Sequence, residues 1–137
     1  ARAMLAVGAH AATDITGFGL IGHLASLSRA RGVAARISAG AVPLLPHARE
    51  LAEGGHVPGG TRRNFEDVAA AVAWADNVDE TARTLLCDAQ TSGGLLIAVA
   101  EERAEELLEA LRAERTPVAV RIGEIAEGPP GSIIVDD

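Results

Sequence analysis

The stretch TDITGFGLIGHLASLSRARG, residues 13–32, decides the first part of the fold, because a polar, glycine-rich turn passes directly into a long apolar periodicity. Apolar residues recur at steps of three and four from Leu20 to Leu27, a spacing that predicts a helix over residues 18–31 with a stop at Gly32. The preceding residues 9–19 mix polar, β-branched and glycine side chains. They predict a strand, a tight loop and the start of that helix.

The remaining segments predict a mixture of helices and strands without strict alternation. The predicted strands are residues 33–37, 95–99, 118–125 and 132–135, and the last two are expected to form a terminal antiparallel pair. The predicted helices are residues 47–53, 79–86, which begins after Asp79, and 101–114, together with the end of a helix before Gly8. Residues 54–64 are predicted to be a loop, and residues 65–75 fit either a helix or a strand. This order favours an α+β fold with a single mixed, largely antiparallel sheet and helices packed on one face, over a doubly wound parallel fold.

Composition limits both the size and the class of the protein. The 137 residues and 14.0 kDa fit one domain, and the sequence carries a net charge of −7 with only two Phe, one Trp and no Tyr. An acidic chain with few aromatic rings is not expected to bind nucleic acid. Its apolar runs are far shorter than the roughly 18 residues that a membrane helix needs, so no membrane partner is expected either.

Lysine and cysteine usage narrow the chemistry further. All twelve basic residues are arginine, which excludes a self-contained P-loop or Schiff-base enzyme, since both need a lysine. One cysteine, Cys87, cannot form an internal disulfide, and a reducing cytoplasm fits best. We expect Cys87 to be buried and the four histidines to be satisfied or exposed, because their spacing fits no metal site. The opening residues 1–4 read like a chain cut from something longer.

Three polar, glycine-containing motifs are the candidate sites for chemistry. In the first motif, residues 13–19, Asp14 offers the hard oxygen ligand that Mg²⁺ prefers, but an Asp before a helix is more often an N-cap or turn residue. In the second motif, residues 59–64, Arg62 and Arg63 match phosphate oxygens, and a solvated loop is the alternative. The third motif, residues 88–94, suits either an anion at a strand end or a tight turn required for packing.

Taken together, the three motifs resemble the C-terminal half of one enzyme family. Residues 12–24, 57–64 and 86–96, together with VPLLP at 42–46, are similar in order and separation to selenophosphate synthetase, also called selenide, water dikinase. One departure is that the family commonly has proline where this chain has Ala89, which predicts a looser turn before Gln90.

The resemblance implies a fold and a reaction. It implies that residues 1–137 form the C-terminal domain of a longer two-domain enzyme of the aminoimidazole-ribonucleotide-synthetase-like superfamily, packed on an N-terminal ATP-binding domain that is absent here. The family converts ATP, selenide and water to selenophosphate, AMP and phosphate with Mg²⁺ and a supporting monovalent cation, and a homodimer is expected. In these terms Asp14 is a magnesium ligand; Thr13, Gly17 and Gly19 neighbour the phosphates; and Gly60, Thr61 and Arg62 face an anionic substrate or product.

The resemblance also implies what this chain lacks. The reactive cysteine or selenocysteine, the catalytic lysine and further magnesium carboxylates belong to the N-terminal half, so the 137-residue chain alone is expected to have no kinase activity and no catalytic residue. Cys87 lies in the wrong half to be that nucleophile. Two other interpretations stay open at this point: another kinase-like superfamily member, such as a thiamine-monophosphate kinase or a hydrogenase-maturation protein, and a non-catalytic binding or assembly domain. The gene sequence upstream of Ala1 would separate them.

Overall fold

The computed structural model describes all residues, 1–137, and contains two separate β-sheets and six α-helices. In chain order the elements are α1 (Arg2–Val7), β1 (Ala11–Asp14), α2 (Gly19–Arg31), β2 (Ala34–Ser38), α3 (Ala48–Glu53), α4 (Gly59–Val68), β3 (Val72–Trp74), α5 (Glu80–Leu86), β4 (Leu95–Ala98), α6 (Ala104–Ala113), β5 (Gly123–Ala126) and β6 (Ile133–Asp136). A single 3₁₀ turn, Glu101–Arg103, leads into α6. The α+β class is therefore confirmed, and no helix is both long and apolar enough to cross a membrane.

The larger sheet has four strands in the order β3-β6-β2-β5. Strand β6 runs parallel to both β2 and β3, and only β5 is antiparallel to its neighbour β2. The predicted single, largely antiparallel sheet is therefore wrong in its details, and so is the terminal antiparallel pair. Both C-terminal strands, β5 and β6, pair with β2 and not with each other. Gly123 allows β5 to lie close to β2, since a Cβ there would lie 2.1 Å from the carbonyl oxygen of Arg36.

Helices cover one face of this sheet, as predicted. Alternate residues Ala35, Ile37, Ile133 and Val135 are buried, while Arg36 and Ile134 between them are exposed. Helix α2 packs on the covered face, and its buried Ile21 and Leu24 belong to a cluster of thirteen buried residues, the main core. The helix ends at Gly32 in a left-handed conformation with φ +71°, which is the stop expected from the sequence.

The smaller sheet is a two-stranded antiparallel ribbon of β1 and β4. Its two faces pack differently: Leu96 contacts the main core, whereas Ile97 contacts a second, small cluster of Ala3, Val7 and Leu107 from α1 and α6. We call the latter the terminal-helix cluster. Successive residues of a strand point to opposite faces, so the ribbon lies between the two clusters.

The second motif forms a helix rather than the predicted loop. Helix α4 begins at Gly59, after Pro58, and includes both glycines and both arginines of the motif. Glycine disfavours a helix interior, so the sequence reads as a loop, but the buried side chains of Thr61 and Asn64 are hydrogen-bonded to other segments and hold this helix in place. The ambiguous residues 65–75 divide between the end of α4 and strand β3.

Candidate functional site

The three motifs, which are far apart in the sequence, lie against one another in the structure. The first and third motifs are joined by backbone hydrogen bonds: the Ile15 amide donates to the Gly94 carbonyl at 2.9 Å, and the amides of Gly93 and Gln90 donate to the carbonyls of Ile15 and Thr16 at 3.0 and 3.1 Å. These bonds continue the pairing of β1 with β4 past the ends of the strands. The ribbon therefore determines where both loops lie.

Two glycines allow this close approach. Gly19 has φ +67°, and a Cβ there would lie 2.6 Å from the carbonyl carbon and oxygen of Cys87. A Cβ on Gly93 would lie 2.5 Å from the carbonyl oxygen of Ile15. No side chain fits at either position, so these glycines are required for the packing of one loop on the other.

The second motif ties the two loops together from the side. The Thr61 hydroxyl donates to Asp88 Oδ1 at 2.6 Å and accepts a hydrogen bond from the Ala89 amide at 3.1 Å. One turn later on α4, Asn64 Nδ2 donates to the carbonyl oxygens of Gly17 at 2.8 Å and Cys87 at 3.1 Å. The backbone N–H of Ala89 donates the bond to Thr61, and a proline at this position would have no N–H to donate. This bond holds the turn before Gln90 against α4.

Asp14 is at the end of β1, and its side chain is exposed. It does not cap α2, because the N-cap residue is Phe18 and no side chain caps that helix. Its carboxylate has no hydrogen-bond or ion-pair partner within the chain. By strand alternation it shares a face with Leu95, its exposed cross-strand partner. The carboxylate is thus free to bind a ligand from outside this chain.

The other candidate residues of the first and second motifs differ in their exposure and in their hydrogen bonds. Thr13 is half-buried and its hydroxyl donates to the Asp14 carbonyl at 3.2 Å, while Gly17 is exposed with open space around its Cβ position. Gly60 is half-buried on α4, and Thr61 is only 1% exposed with its hydroxyl already hydrogen-bonded. Phosphate contact by any of these residues stays a prediction.

Arg62 lines a groove to which Asp14 does not contribute. Its exposed side chain lines a polar groove between α3, α4 and α5, together with Glu53, Glu66 and Glu80. Arg63 is exposed and makes no ion pair in the structure. The groove carries more acidic than basic side chains, and no second arginine lines it with Arg62. Phosphate contact by Arg62 stays a prediction.

The single cysteine and the histidines are structural or exposed, as expected. Cys87 has no exposed surface, and burial raises the pKa of its thiol to about 12, so it is not a thiolate nucleophile at neutral pH. His23 Nε2 accepts a hydrogen bond from the Thr16 amide at 3.1 Å and its ring meets the Phe18 ring edge-on. No group of three or more His, Cys, Asp or Glu side chains gathers anywhere in the chain in a way that could hold a metal ion.

Three residues that the sequence did not single out organise the site: Asn64, Asp88 and His23. Asn64 and Thr61 are three apart, which places both side chains on one face of a helix. That spacing is a usable signal only on a helix, and the glycine content of residues 54–64 predicts a loop. Asp88 and His23 carry no comparable signal, since their partners become neighbours only when the chain is folded.

The fold and the loop cluster together define the class of the protein. The chain belongs to the family of the AIR synthase related protein, C-terminal domain, whose model matches residues 1–136. Solved structures with the same fold include the thiamine-monophosphate kinase of Stenotrophomonas maltophilia K279a, with a TM-score of 0.56 and 25% identity over 93% of this chain and 31% of that one. Another is the hydrogenase maturation protein HypE in complex with ATP, with a TM-score of 0.59 and 21% identity over 98% of this chain and 34% of that one.

The chain is also similar to curated proteins that share one name, selenide, water dikinase. The chain is 41% identical over 128 residues to selenide, water dikinase of Dechloromonas aromatica, and 46% identical over 127 residues to that of Pelobacter propionicus, each covering 93% of this chain. It is 43% identical over 129 residues to the selenide, water dikinase of Escherichia coli O157:H7. The resemblance predicted from the three motifs is confirmed. The chain spans 37% and 36% of the lengths of the first two relatives.

Proposed function

We propose that residues 1–137 are the C-terminal domain of a selenide, water dikinase, which converts ATP, selenide and water to selenophosphate, AMP and phosphate. The observation that carries this proposal is the identity of 41% and 46% to two curated selenide, water dikinases over 93% of the chain. Three motifs that resemble this family also meet in one loop cluster beside an exposed carboxylate.

In this proposal Asp14 contributes one ligand to a magnesium ion. A carboxylate oxygen is the kind of ligand that Mg²⁺ prefers, and the Asp14 side chain is exposed and unpaired. The chain gathers no three metal-binding side chains, so its residues fit one contribution to a site and not a complete site. The remaining ligands then come from nucleotide phosphates and from residues outside this chain. Bound Mg²⁺ would neutralise charge on the phosphoryl group that is transferred.

The loop cluster around Asp14 supplies the rigidity that such a ligand needs. The neighbouring Ile15 is buried in the main core and is hydrogen-bonded on both its amide and its carbonyl to the third motif. A carboxylate on a fixed backbone loses little conformational entropy when it binds a metal. Thr13 and Gly17 are the candidate neighbours of the phosphates, through the hydroxyl of one and the open backbone of the other.

Several further partners belong to the proposal. They are an N-terminal ATP-binding domain, selenide and ATP as substrates, a monovalent cation in support, a homodimer of the complete enzyme and a cytoplasmic location. Because the chain contains no lysine and its only cysteine is buried, a catalytic lysine and a reactive cysteine or selenocysteine have to come from outside residues 1–137.

The test is Asp14→Ala in the longer protein, measured as selenide-dependent AMP formation over a range of Mg²⁺ concentrations. We expect turnover to fall by about a thousandfold or more, since a metal ligand contributes several kcal/mol to the transition state. Asp67→Ala removes another exposed carboxylate, on α4, and serves as the matched control, with turnover unchanged. Normal Mg²⁺-dependent turnover in the Asp14→Ala protein would reject the assignment of this ligand.

The same assay decides the role of the chain on its own. The purified 137-residue chain is expected to form no AMP from ATP and selenide, and AMP formation by it would contradict the proposal that the catalytic groups lie elsewhere. The likeness to a thiamine-monophosphate kinase, at 25% identity, makes ATP-dependent phosphorylation of thiamine monophosphate the second candidate activity. Turnover of that substrate and not of selenide by the longer protein would favour it, and turnover of neither would favour a non-catalytic domain.

A further inference from the structure

The side chain of Asn64, in the second motif, connects the first motif to Cys87, which directly precedes the third motif, and it is almost completely buried. It is 8% exposed, and its one amide nitrogen donates to the Gly17 carbonyl at 2.8 Å and to the Cys87 carbonyl at 3.1 Å. An Asn amide nitrogen has two N–H groups, so both donors are used, one on each loop. These two loops are 70 residues apart in the sequence, and Asn64 fixes the distance between them.

Few other side chains could take this place. An ionised Asp has no donor, and Leu of similar size would leave both carbonyl oxygens without this side-chain partner, the one on Cys87 in a buried place. Thr61, one turn earlier on the same face of α4, connects α4 to Asp88 and Ala89 in the third motif. The first motif, in contrast, receives one hydrogen bond from the α4 side chains, the bond from Asn64 to Gly17.

The hydrogen bond from Asn64 to Gly17 lies beyond the end of β1, outside the strand pairing of the ribbon. The strand pairing and the Ile15 and Thr16 bonds hold the residues next to Asp14, and Asn64 holds Gly17, three residues further on. Gly17 has open space around it and no close packing of its own, unlike Gly19. Without Asn64 the loop between Thr16 and Phe18 would therefore be held only at its ends.

We propose that Asn64 is a positioning residue: it fixes the loop that follows Asp14 against the third motif, and so sets the direction in which the Asp14 carboxylate is presented to a metal-bound nucleotide. This inference rests on the proposed function for its consequence, but its structural part does not. Asn64 touches neither metal nor substrate in this account. Its effect on the reaction passes through the backbone of residues 15–17.

The activity arm of the test compares Asn64→Leu with Val68→Ala in the longer protein. Val68 is on the same helix, is also 8% exposed and packs in the main core, but its side chain makes no hydrogen bond to either loop, so its variant reports a general loss of stability. At a temperature at which circular dichroism shows both variants folded, Asn64→Leu is expected to raise the Mg²⁺ concentration for half-maximal selenide-dependent AMP formation by about tenfold or more. Val68→Ala is expected to leave it unchanged.

Equal Mg²⁺ dependence in the two variants would overturn the proposal. If Asn64→Leu does not fold, Asn64→Ser, which keeps one donor, replaces it, and the expected shift is in the same direction but smaller.

A second arm does not depend on the reaction. Amide hydrogen exchange, followed by mass spectrometry, is measured on peptides that cover residues 13–19 and 88–94. Exchange there is expected to be faster in Asn64→Leu than in Val68→Ala, while peptides of α6 exchange alike in both variants. Equal exchange in the two loops would overturn the positioning role. If the wild-type protein forms no AMP but the exchange difference is present, the proposed function fails and the structural part of the inference stands.

Discussion

The two hydrophobic clusters on either side of the β1–β4 ribbon differ greatly in size. The main core has thirteen buried residues, most of them from α2 and the four-stranded sheet and the rest from α4, α5 and adjoining loops, whereas the terminal-helix cluster has three, from α1 and α6. Buried apolar area stabilises in proportion to its amount, so most of the stability of the fold comes from one side of the ribbon. The candidate site lies at the end of the ribbon where neither cluster covers Asp14 and Leu95.

This arrangement separates stability from the proposed chemistry. The residues that precede and follow the exposed carboxylate are attached to the main core through Ile15 and to the third motif through hydrogen bonds. The terminal helices contribute to the opposite face of the ribbon further along. Changes in the terminal-helix cluster should therefore disturb the site less than changes in the main core do.

The largest effect is expected from Ile21→Ala, which removes a fully buried side chain from the main core. Large-to-small changes of this kind destabilise by the lost burial and by the cavity left behind, and we expect the free energy of unfolding to fall by about 3 to 4 kcal/mol. Urea unfolding monitored by circular dichroism measures it. A loss no larger than that of an exposed alanine substitution would contradict the assignment of α2 to the main core.

An intermediate effect is expected from Leu107→Ala, the most enclosed contribution of α6 to the terminal-helix cluster. The expected loss is about 2 to 3 kcal/mol, and because the cluster is small we expect part of it to appear as local opening of α1 and α6. Hydrogen exchange of the helix peptides, compared with those of α2, distinguishes local from global opening. Leu5→Ala, at a position 83% exposed on α1, is the matched control and is expected to change nothing.

Uniform acceleration of exchange over the whole chain in Leu107→Ala would mean that the two clusters unfold as one unit. The two clusters would then differ in their packing but not in their stability.

The smallest effect is expected from Arg2→Ala, which breaks the bidentate pair between α1 and Glu114 at the end of α6. The hydrogen bond from Arg2 lowers the pKa of the Glu114 carboxyl. A lowered folded-state pKa adds stability that is present above the ordinary carboxyl pKa and is lost as the pH falls through the lowered value. The Arg2 side chain is 86% exposed and that of Glu114 is 41% exposed, so the shift in melting temperature at pH 7 is expected to be smaller than that of Leu107→Ala.

Acid conditions sharpen this last prediction. At a pH below the lowered pKa, Glu114 is neutral in both proteins and the difference in melting temperature between wild type and Arg2→Ala should disappear. Arg63→Ala removes an exposed arginine without an ion pair and should show no such pH dependence. A difference for Arg2→Ala that persists in acid would contradict the Arg2–Glu114 interpretation.

Much of the local structure could be predicted from the sequence. The apolar spacing of α2, its glycine stop, the leucine face of α6 and the apolar run of β4 are patterns of neighbouring residues, and the structure has each of these elements. The burial that the run at β4 predicts is wrong, because Leu95 is exposed and the rest of the strand is half-buried. Asp79 was expected to begin α5, and its side chain accepts a hydrogen bond from the Ala82 amide. For the site, the sequence indicated the three motifs, and the resemblance to a known family indicated that they act together.

The errors concern features that depend on distant partners. Residues 59–64 form a helix because Thr61 and Asn64 have hydrogen-bond partners in the other two motifs, which outweighs the poor helix propensity of Gly59 and Gly60. The C-terminal strands pair with β2 rather than with each other, which no pattern within residues 118–135 indicates.

The sequence by itself therefore determined the helices and strands with a clear periodicity, the α+β class and the candidate carboxylate at Asp14, because these depend on residues within one or two turns of each other. Only the tertiary structure decided the two-sheet arrangement, the helical state of α4 and the hydrogen bonds of Asn64. Each of these depends on hydrogen bonds or close backbone contacts between segments that are far apart in the chain, and those contacts exist only once the main core has brought the segments together.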